Sequence, residues 1–225
     1  MESEKPKPKK PTGTSGPIKF TTGPNGGKVE FLPISFPKTK GDIEDFVVRG
    51  FLNPASSQGI LPLTIESVKR NELDNFDFTV ATSSGSRYIE LMEIAPFEHL
   101  GTSYSQAPNT YKPYDFALYI VDKIVGKSDH YASSTDMGII LLLYVTDWKF
   151  KLNETTLKLL KYWTTQKHHC FEFIYYYHPV FEESGIAHII FPTPADKWIG
   201  FNPEAYSAVE AFILSPTDWR IDKKG

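Results

Sequence analysis

Asp77 and Glu90, two acidic residues in one predicted β-hairpin, are the side chains of this sequence best suited to chemistry. They lie in NFDFTVATSSGSRYIELMEIAP, residues 75–96, in which two short apolar runs flank a Ser-Gly turn. A carboxylate in so apolar a strand needs a partner or a function, because burying an unpaired charge is costly. Two carboxylates on one face can share a hard, oxygen-preferring cation such as Mg²⁺ or Mn²⁺. The ordinary alternative is that acids on a strand point to solvent.

The register of this hairpin decides whether the two acids meet. With Ser84 and Gly85 as a two-residue loop, the commonest tight connection, the apolar residues of both strands share one face. The same register puts both acids on the other face, as diagonal neighbours about 7–8 Å apart at the backbone. A slip of one residue would bring Glu93 opposite Asp77 but would divide the apolar residues between the faces, so Glu90 is the predicted partner. The predicted facing pairs are Phe78 with Leu91, Val80 with Ile89, Thr79 with Glu90, and Asp77 with Met92.

The next predicted helix, residues 114–131, carries a second constellation. Lys123 and Lys127 are like charges at i, i+4, an arrangement that is mildly destabilising unless an anion lies against it. A phosphate is the natural candidate for that anion, and a solvated basic face is an equally good interpretation. The residues on this stripe, four apart, are Asp115, Tyr119, Lys123, Lys127 and Tyr131.

The elements that must position these residues follow an alternating order. Helical spacing of apolar residues predicts amphipathic helices, and short apolar runs predict strands. The run GIILLLYV, residues 138–145, is typical of a central parallel strand buried on both faces. The sequence therefore predicts an α/β fold, with a mixed sheet and helices on both faces. The other predicted elements are helices at 41–52, 153–167 and 203–214 and strands at 61–70, 170–179 and 186–192.

This pattern resembles the PD-(D/E)XK nuclease superfamily, which includes many restriction endonucleases and DNA-repair nucleases. The resemblance extends over about residues 41–192 and implies a restriction-endonuclease-like fold in the order α, β, hairpin, α, β, α, β. Asp77 matches the motif's first-strand Asp, and Glu90 matches the Glu of its second strand. Two positions depart from the motif, since Phe76 replaces the proline before the Asp and Met92 stands where the motif has lysine.

The missing lysine matters because, in such sites, the metal polarises the phosphate and lysine orients or deprotonates the attacking water. Its role could have moved to Lys123 or Lys127, which the resemblance favours because relatives relocate this lysine. Glu93 could substitute, although the predicted register turns it to the other face, or catalysis could have been lost. The resemblance also implies Glu44, on the first helix, as an additional metal ligand. A solvent-facing Glu44 on an amphipathic helix is the alternative.

The resemblance implies a metal-dependent nuclease that hydrolyses phosphodiester bonds in DNA, with Mg²⁺ or Mn²⁺ as cofactor. By analogy with the family, a role in restriction or defence against foreign DNA fits. The alternative is a catalytically inactive module of the same fold that binds nucleic acid or a partner protein. Because many relatives act as dimers, a homodimer or a subunit of a larger complex is expected.

Composition limits the remaining possibilities. The net charge of −3 argues against a binder that relies on a global positive field. A single cysteine, Cys170, excludes an internal disulfide framework and fits a reducing compartment. No signal peptide or membrane-spanning run is evident, so we expect a cytoplasmic protein without membrane partners. A lysine- and proline-rich start predicts a disordered or loosely attached tail over residues 1–34, followed by one domain over 35–225.

Overall fold

The computed structural model describes residues 13–23, 26–72, 76–95, 104, 107–131 and 137–213. Six of the strands form one mixed sheet, and α-helices lie on both of its faces. The helices are α1 (Lys40–Ser57), α2 (Pro113–Tyr131) and α3 (Glu154–Gln166). The strands are β1 (Ile18–Gly23), β2 (Gly26–Phe31), β3 (Ile65–Arg70), β4 (Phe78–Thr82), β5 (Gly85–Glu93), β6 (Thr110–Tyr111), β7 (Ile139–Tyr144), β8 (Phe173–Phe181), β9 (Ser184–Phe191) and β10 (Ala211–Phe212).

The main sheet has the strand order β3-β4-β5-β7-β8-β9. β5, β7 and β8 run parallel to one another, and the pairs at both ends of the sheet are antiparallel. All six residues of β7 are buried, as expected for a continuous apolar strand covered on both faces. α1 packs over one apolar core, and α2 and α3 pack over the other. The predicted α/β class, with a mixed sheet and a central GIILLLYV strand, is confirmed.

Helix α2 forms the crossover between the parallel strands β5 and β7. Such a pair cannot be joined by a tight turn, so the chain must return across one face of the sheet. α2 begins at Pro113. Proline fits the first position of a helix, because the amide hydrogen that it lacks would have no hydrogen-bond partner within the helix. Its buried residues, among them Ile120 and Ile124, face the core. The polar stripe of α2 consequently borders β5.

The β4–β5 hairpin differs from the predicted register by two residues. Thr82 pairs with Gly85, so the loop consists of Ser83 and Ser84. The Thr82 hydroxyl donates to the Gly85 carbonyl at 2.6 Å and accepts from the Ser84 amide at 3.3 Å, which closes the turn one residue earlier. A slip of two residues leaves every side chain on its face. The predicted apolar face therefore survives, packed in the core under α1: Phe78, Val80, Ile89 and Leu91.

Within the predicted tail, residues 1–34, the described part contains two strands and contacts β8 through Ser15. β1 and β2 form an antiparallel hairpin. Ser15 is fully buried, where its hydroxyl donates to the Pro179 carbonyl at 2.7 Å and accepts from His178 Nε2 at 3.0 Å. Apolar residues that alternate on either side of a Pro-Asn-Gly-Gly sequence are the signal for such a hairpin. The first twelve residues lie outside the described ranges.

The last predicted helix, 203–214, is also wrong over its described residues. Pro203–Tyr206 forms a single 3₁₀ turn, and β10 pairs with β6. Most side chains from Pro203 to Phe212 are exposed or half-buried. Since helices in proteins depend mainly on burying an apolar face, this segment lacks the packing that would stabilise one.

Candidate active site

Asp77, Glu90, Lys127 and Tyr131 form one hydrogen-bonded cluster between the β4–β5 hairpin and α2. Lys127 Nζ lies 2.6 Å from Glu90 Oε1, and the Tyr131 hydroxyl also hydrogen-bonds the Glu90 carboxylate. The other oxygen, Glu90 Oε2, accepts from the Asp77 amide at 3.3 Å. Asp77 Oδ2 accepts from the Leu91 amide at 2.8 Å. The two acids and one of the two lysines chosen from the sequence are therefore neighbours.

The backbone around Asp77 is held by Asn71, which follows β3. The Asn71 amide donates to the Asp77 carbonyl at 3.0 Å, and its side-chain Nδ2 donates to the Phe76 carbonyl at 3.3 Å. Thr79 Oγ1 donates to Asn71 Oδ1 at 3.0 Å, which orients that side chain. With β4 and β5 in the observed register, Asp77 lies directly opposite Glu90 instead of diagonal to it.

An aromatic stack fixes the end of α2 beside these acids. The Phe76 ring stacks on Tyr88 at a centroid distance of 4.1 Å and on Tyr131 at 4.8 Å. Phe76 occupies the position where the motif has proline. Its ring packs against Tyr88 and Tyr131, contacts that a proline ring would not make in the same way. The stack holds Tyr131 where its hydroxyl reaches Glu90.

Electrostatics distinguish Glu90 from an ordinary surface acid. It is only 5% exposed, and burial, opposed by the hydrogen bond and charge of Lys127, raises its pKa; the nearby Asp77 charge acts in the same direction as burial. Burial, followed by the charge of Glu90, also raises the pKa of Tyr131, so this phenol remains a hydrogen-bond donor. Two carboxylates face one ammonium in this cluster, and the excess negative charge favours a cation.

The donor set of Asp77 and Glu90 fits a hard divalent cation. Mg²⁺ is commonly held by one or two carboxylates, with water and substrate phosphates completing its octahedron. Within the described ranges, no group of three or more His, Cys, Asp or Glu side chains is arranged to hold a metal ion. Water or substrate would therefore supply the remaining ligands. Glu90 Oε1 would serve as a ligand only without its 2.6 Å contact with Lys127 Nζ.

Lys123, the other predicted lysine, lies one turn before Lys127 on α2. Its Nζ is 5.4 Å from the centroid of the Tyr119 ring. Lys123 also lines a cavity of about 240 Å³, together with Met92 and Glu93 at the end of β5. Met92, in the motif's lysine position, therefore faces this cavity on the α2 side of the sheet.

Glu44, expected from the sequence either as a metal ligand or as a solvent-facing acid, is a buried residue of α1. It is 5% exposed, so it does not face solvent, and it lies on α1 across the sheet from α2. Two cations contact its carboxylate. Arg70 Nη2 lies 3.0 Å from Glu44 Oε2, and Lys40 Nζ lies 3.2 Å from Glu44 Oε1. Glu44 is thus not part of the cluster around Glu90. Helical spacing alone could not reveal this, because the partner Arg70 comes from β3.

A further acid, Glu93, ends β5 and joins a separate polar network. Its Oε1 accepts from the Tyr104 hydroxyl at 2.9 Å and from Thr146 Oγ1 at 2.6 Å. Burial, followed by the charges of Glu93, Glu44 and Asp77, raises the pKa of the nearby Tyr144. The carboxylates of Glu93, Glu44 and Asp77 thus all lie close enough to act on Tyr144.

Two residues that shape the cluster had no predicted role. Tyr131 was placed on the helical stripe, and its i, i+4 spacing from Lys127 is the signal that could have identified it. Asn71 carried no such signal, because its contacts depend on how β3 meets the start of β4.

The chain matches no protein-family model, and neither a curated protein nor a solved structure is found to be similar to it. Among the described helices, none combines the length and apolar character needed to cross a bilayer.

Proposed function

We propose that this protein is a metal-dependent nuclease of the PD-(D/E)XK type that hydrolyses phosphodiester bonds in DNA. The observation that carries the proposal is the 2.6 Å contact of Lys127 with Glu90, beside Asp77. It joins two carboxylates and a lysine although Met92 occupies the motif's usual lysine position. The order of α1, antiparallel β3–β5, α2 and parallel β7 supports the proposal, since it agrees with the order that the resemblance implies.

Asp77 and Glu90 are the residues that would hold Mg²⁺ or Mn²⁺, which when bound polarises a phosphate and lowers the pKa of a water molecule. Lys127 would offset the charge of the phosphate with its ammonium group. Lys127 reaches a phosphate only by giving up its contact with Glu90, and the same movement frees Glu90 Oε1. Tyr131 remains hydrogen-bonded to Glu90 and keeps that carboxylate oriented.

The test is cleavage of plasmid DNA, single-stranded DNA and RNA with Mg²⁺ or Mn²⁺, and with EDTA as the control. Asp77→Asn should abolish cleavage while leaving the circular dichroism spectrum unchanged, because the substitution removes a charge and no core volume. Asp129→Asn is the matched control, since Asp129 is an exposed acid on α2 two residues from Lys127. Absence of metal-dependent cleavage by the unmodified protein on every substrate would refute the proposal.

A second candidate is a catalytically inactive module of this fold that binds nucleic acid or a partner protein. The observation that favours it is the closed state of Glu90, whose two oxygens are already bound by Lys127 and the Asp77 amide. An ion pair of this kind can be retained for structural specificity alone. Binding of DNA with no cleavage under any metal would select this second function.

A further inference from the structure

The two edge strands of the main sheet, β3 and β9, differ in how they are protected against pairing with another chain. Three of the six residues of β3 are charged, and its pairing with β4 shifts between Ile65 and Ser67. Charges and bulges of this kind discourage an edge strand from accepting a further strand. β9 contains no charged residue and no proline, and its pairing with β8 is regular from Gly185 to Ile189. β9 is therefore the edge at which a further strand can be added.

The outer edge of β9 is open within the part of the chain that the structure describes. There, the backbone of β9 pairs with β8 alone. Successive residues of an antiparallel strand direct their N–H and C=O groups alternately to either side, so about half of these groups in β9 point away from β8. The Ile186 side chain, on the same strand, is 39% exposed. An extended segment placed there would gain main-chain hydrogen bonds and cover Ile186.

A lysine lies beside this edge on the face of the sheet that α3 covers. His188 pairs with Tyr176, which belongs to the core under α2 and α3, so the His188 side chain points to that face. Lys161 is on the flank of α3 next to β9, because the Thr165 hydroxyl, one turn further along this flank, lies 2.8 Å from the Thr193 hydroxyl. Thr193 is the second residue after the end of β9. An acidic side chain on a strand added to β9 would therefore meet Lys161.

The lysines at this edge form no ion pairs with carboxylates among the described residues. They are Lys151, Lys161 and Lys197. Burial, followed by the charge of Lys197, lowers the pKa of Lys161. Burial, followed by the charges of Lys161 and Lys151, lowers the pKa of His188. Positive charge therefore accumulates beside β9, and a negatively charged ligand would be stabilised there.

We propose that β9 binds an extended acidic segment of a partner protein, which adds a strand to the main sheet and directs carboxylates on alternate residues toward Lys151, Lys161 and Lys197. The main-chain hydrogen bonds provide affinity, and the lysines select for acidic residues on the side that α3 covers. The interaction is separate from the proposed nuclease centre, because β5, which carries Glu90, is three strands away from β9.

A second copy of this chain is a poorer occupant of the same edge. Symmetric antiparallel pairing of two β9 strands would keep each face of the sheet on its own side. The lysines of both copies would then lie on one face, where like charges oppose association. A partner that carries acidic residues has the complementary charge.

The probe is a fluorescent peptide of alternating glutamate and threonine with neutral ends, and its binding to the full chain is measured by fluorescence anisotropy at low salt. Lys161→Gln should weaken binding by about fivefold, the upper range for a single ion pair near the surface. Lys69→Gln is the matched control, since it removes the same charge from the exposed strand β3 and should leave the affinity unchanged. A peptide of alternating lysine and threonine should not bind.

A second measurement tests for the added strand. Successive residues of a strand direct their amides to opposite edges, so N-methylation of all the glutamates blocks one edge of the peptide and N-methylation of all the threonines blocks the other. One methylated peptide should lose binding, and the other should bind like the parent peptide, although both keep every carboxylate. Binding of the parent peptide should also slow amide hydrogen exchange at alternate residues between Gly185 and Ile189.

Several results would overturn this inference, and none of them depends on whether the protein cleaves DNA. If the two methylated peptides bind alike, no strand is added to β9. Equal affinities of Lys161→Gln and Lys69→Gln would exclude the lysines from the interaction. Absence of peptide binding, with self-association of the protein and protection of the β9 amides, would identify a second copy as the occupant. A single-stranded oligonucleotide that displaces the peptide and binds more tightly would identify the lysines as a nucleic-acid surface.

Discussion

Glu90 and Glu44 are two buried glutamates on opposite faces of one sheet, and both are 5% exposed. Each contacts a lysine on a helix, at 2.6 Å for Lys127 with Glu90 and at 3.2 Å for Lys40 with Glu44. Their other neighbours differ. Arg70 contacts Glu44 as a second cation, whereas the neighbour of Glu90 is a second acid.

The ratio of charges in the two clusters, more than burial, separates a structural ion pair from a candidate site. Around Glu44, Arg70 also contacts Asp45, so two acids face two cations in a balanced group. Around Glu90, two acids face one lysine. A buried group with excess negative charge is unfavourable until a further cation binds. The comparison therefore favours the face of the sheet that α2 covers as the place to test the proposed metal binding.

The largest expected difference between the two clusters is in cleavage rate. Lys127→Met should lower kcat by roughly 10²–10³-fold, the loss typical of removing one preorganised charge-stabilising group. Lys40→Met should leave kcat unchanged, because its cluster is on the other face of the sheet. Single-turnover cleavage of plasmid DNA measures both. Equal losses in the two variants would contradict the comparison.

Stability should differ in the same direction. Lys127→Met leaves Glu90 buried beside Asp77 without its cation and should lower the free energy of unfolding by about 3 kcal/mol. Lys40 is 71% exposed and Glu44 keeps Arg70, so Lys40→Met should cost less than about 1 kcal/mol. Urea unfolding at pH 7 measures the difference. A larger loss in Lys40→Met would show that the Glu44 cluster is the more dependent on its lysine.

A lysine at the motif's usual position should partly restore the cleavage rate that is lost when Lys127 is replaced. Met92 lies on the same face of β5 as Glu90, so a lysine at position 92 can reach the same phosphate that Lys127 would contact. In the Lys127→Met background, Met92→Lys should raise the cleavage rate by about tenfold, equivalent to about 1.4 kcal/mol of barrier. The matched control is Met92→Gln, which is polar and uncharged. Equal rates for lysine and glutamine would argue against a charge-based role.

The smallest expected effect is on the pH dependence of stability. The pKa of Glu90 is raised above its ordinary value of 4.5. Between the pKa of Glu90 in the unfolded chain and its higher pKa in the folded protein, the folded protein therefore binds more protons than the unfolded chain. The free energy of unfolding should therefore fall as pH rises through this window. Glu90→Gln should remove that fall, and Glu44→Gln should retain it. Urea titrations across the acidic range, with carboxyl chemical shifts for Glu90, provide the measurement.

Several features of the fold and site were predictable from the sequence because they depend on short-range periodicity. Side chains alternate along a strand, so the predicted apolar face of Phe78, Val80, Ile89 and Leu91 is correct even though the facing pairs are wrong by two residues. The uninterrupted apolar run of β7 likewise identified the central strand. Four-residue spacing placed Lys123 and Lys127 on one stripe of α2.

Other features were decided by contacts between distant segments. Which lysine meets Glu90 depends on how far along β5 the crossover helix packs, and helical spacing treats Lys123 and Lys127 alike. Glu44 lies apart from the cluster because α1 packs on the other face and Arg70 arrives from β3. The amino-acid sequence thus determined by itself which hairpin residues form the apolar face and which stripe of α2 carries the lysines, since both follow from local period. Only the tertiary structure decided which of those charges meet, because that depends on the packing of helices against the sheet.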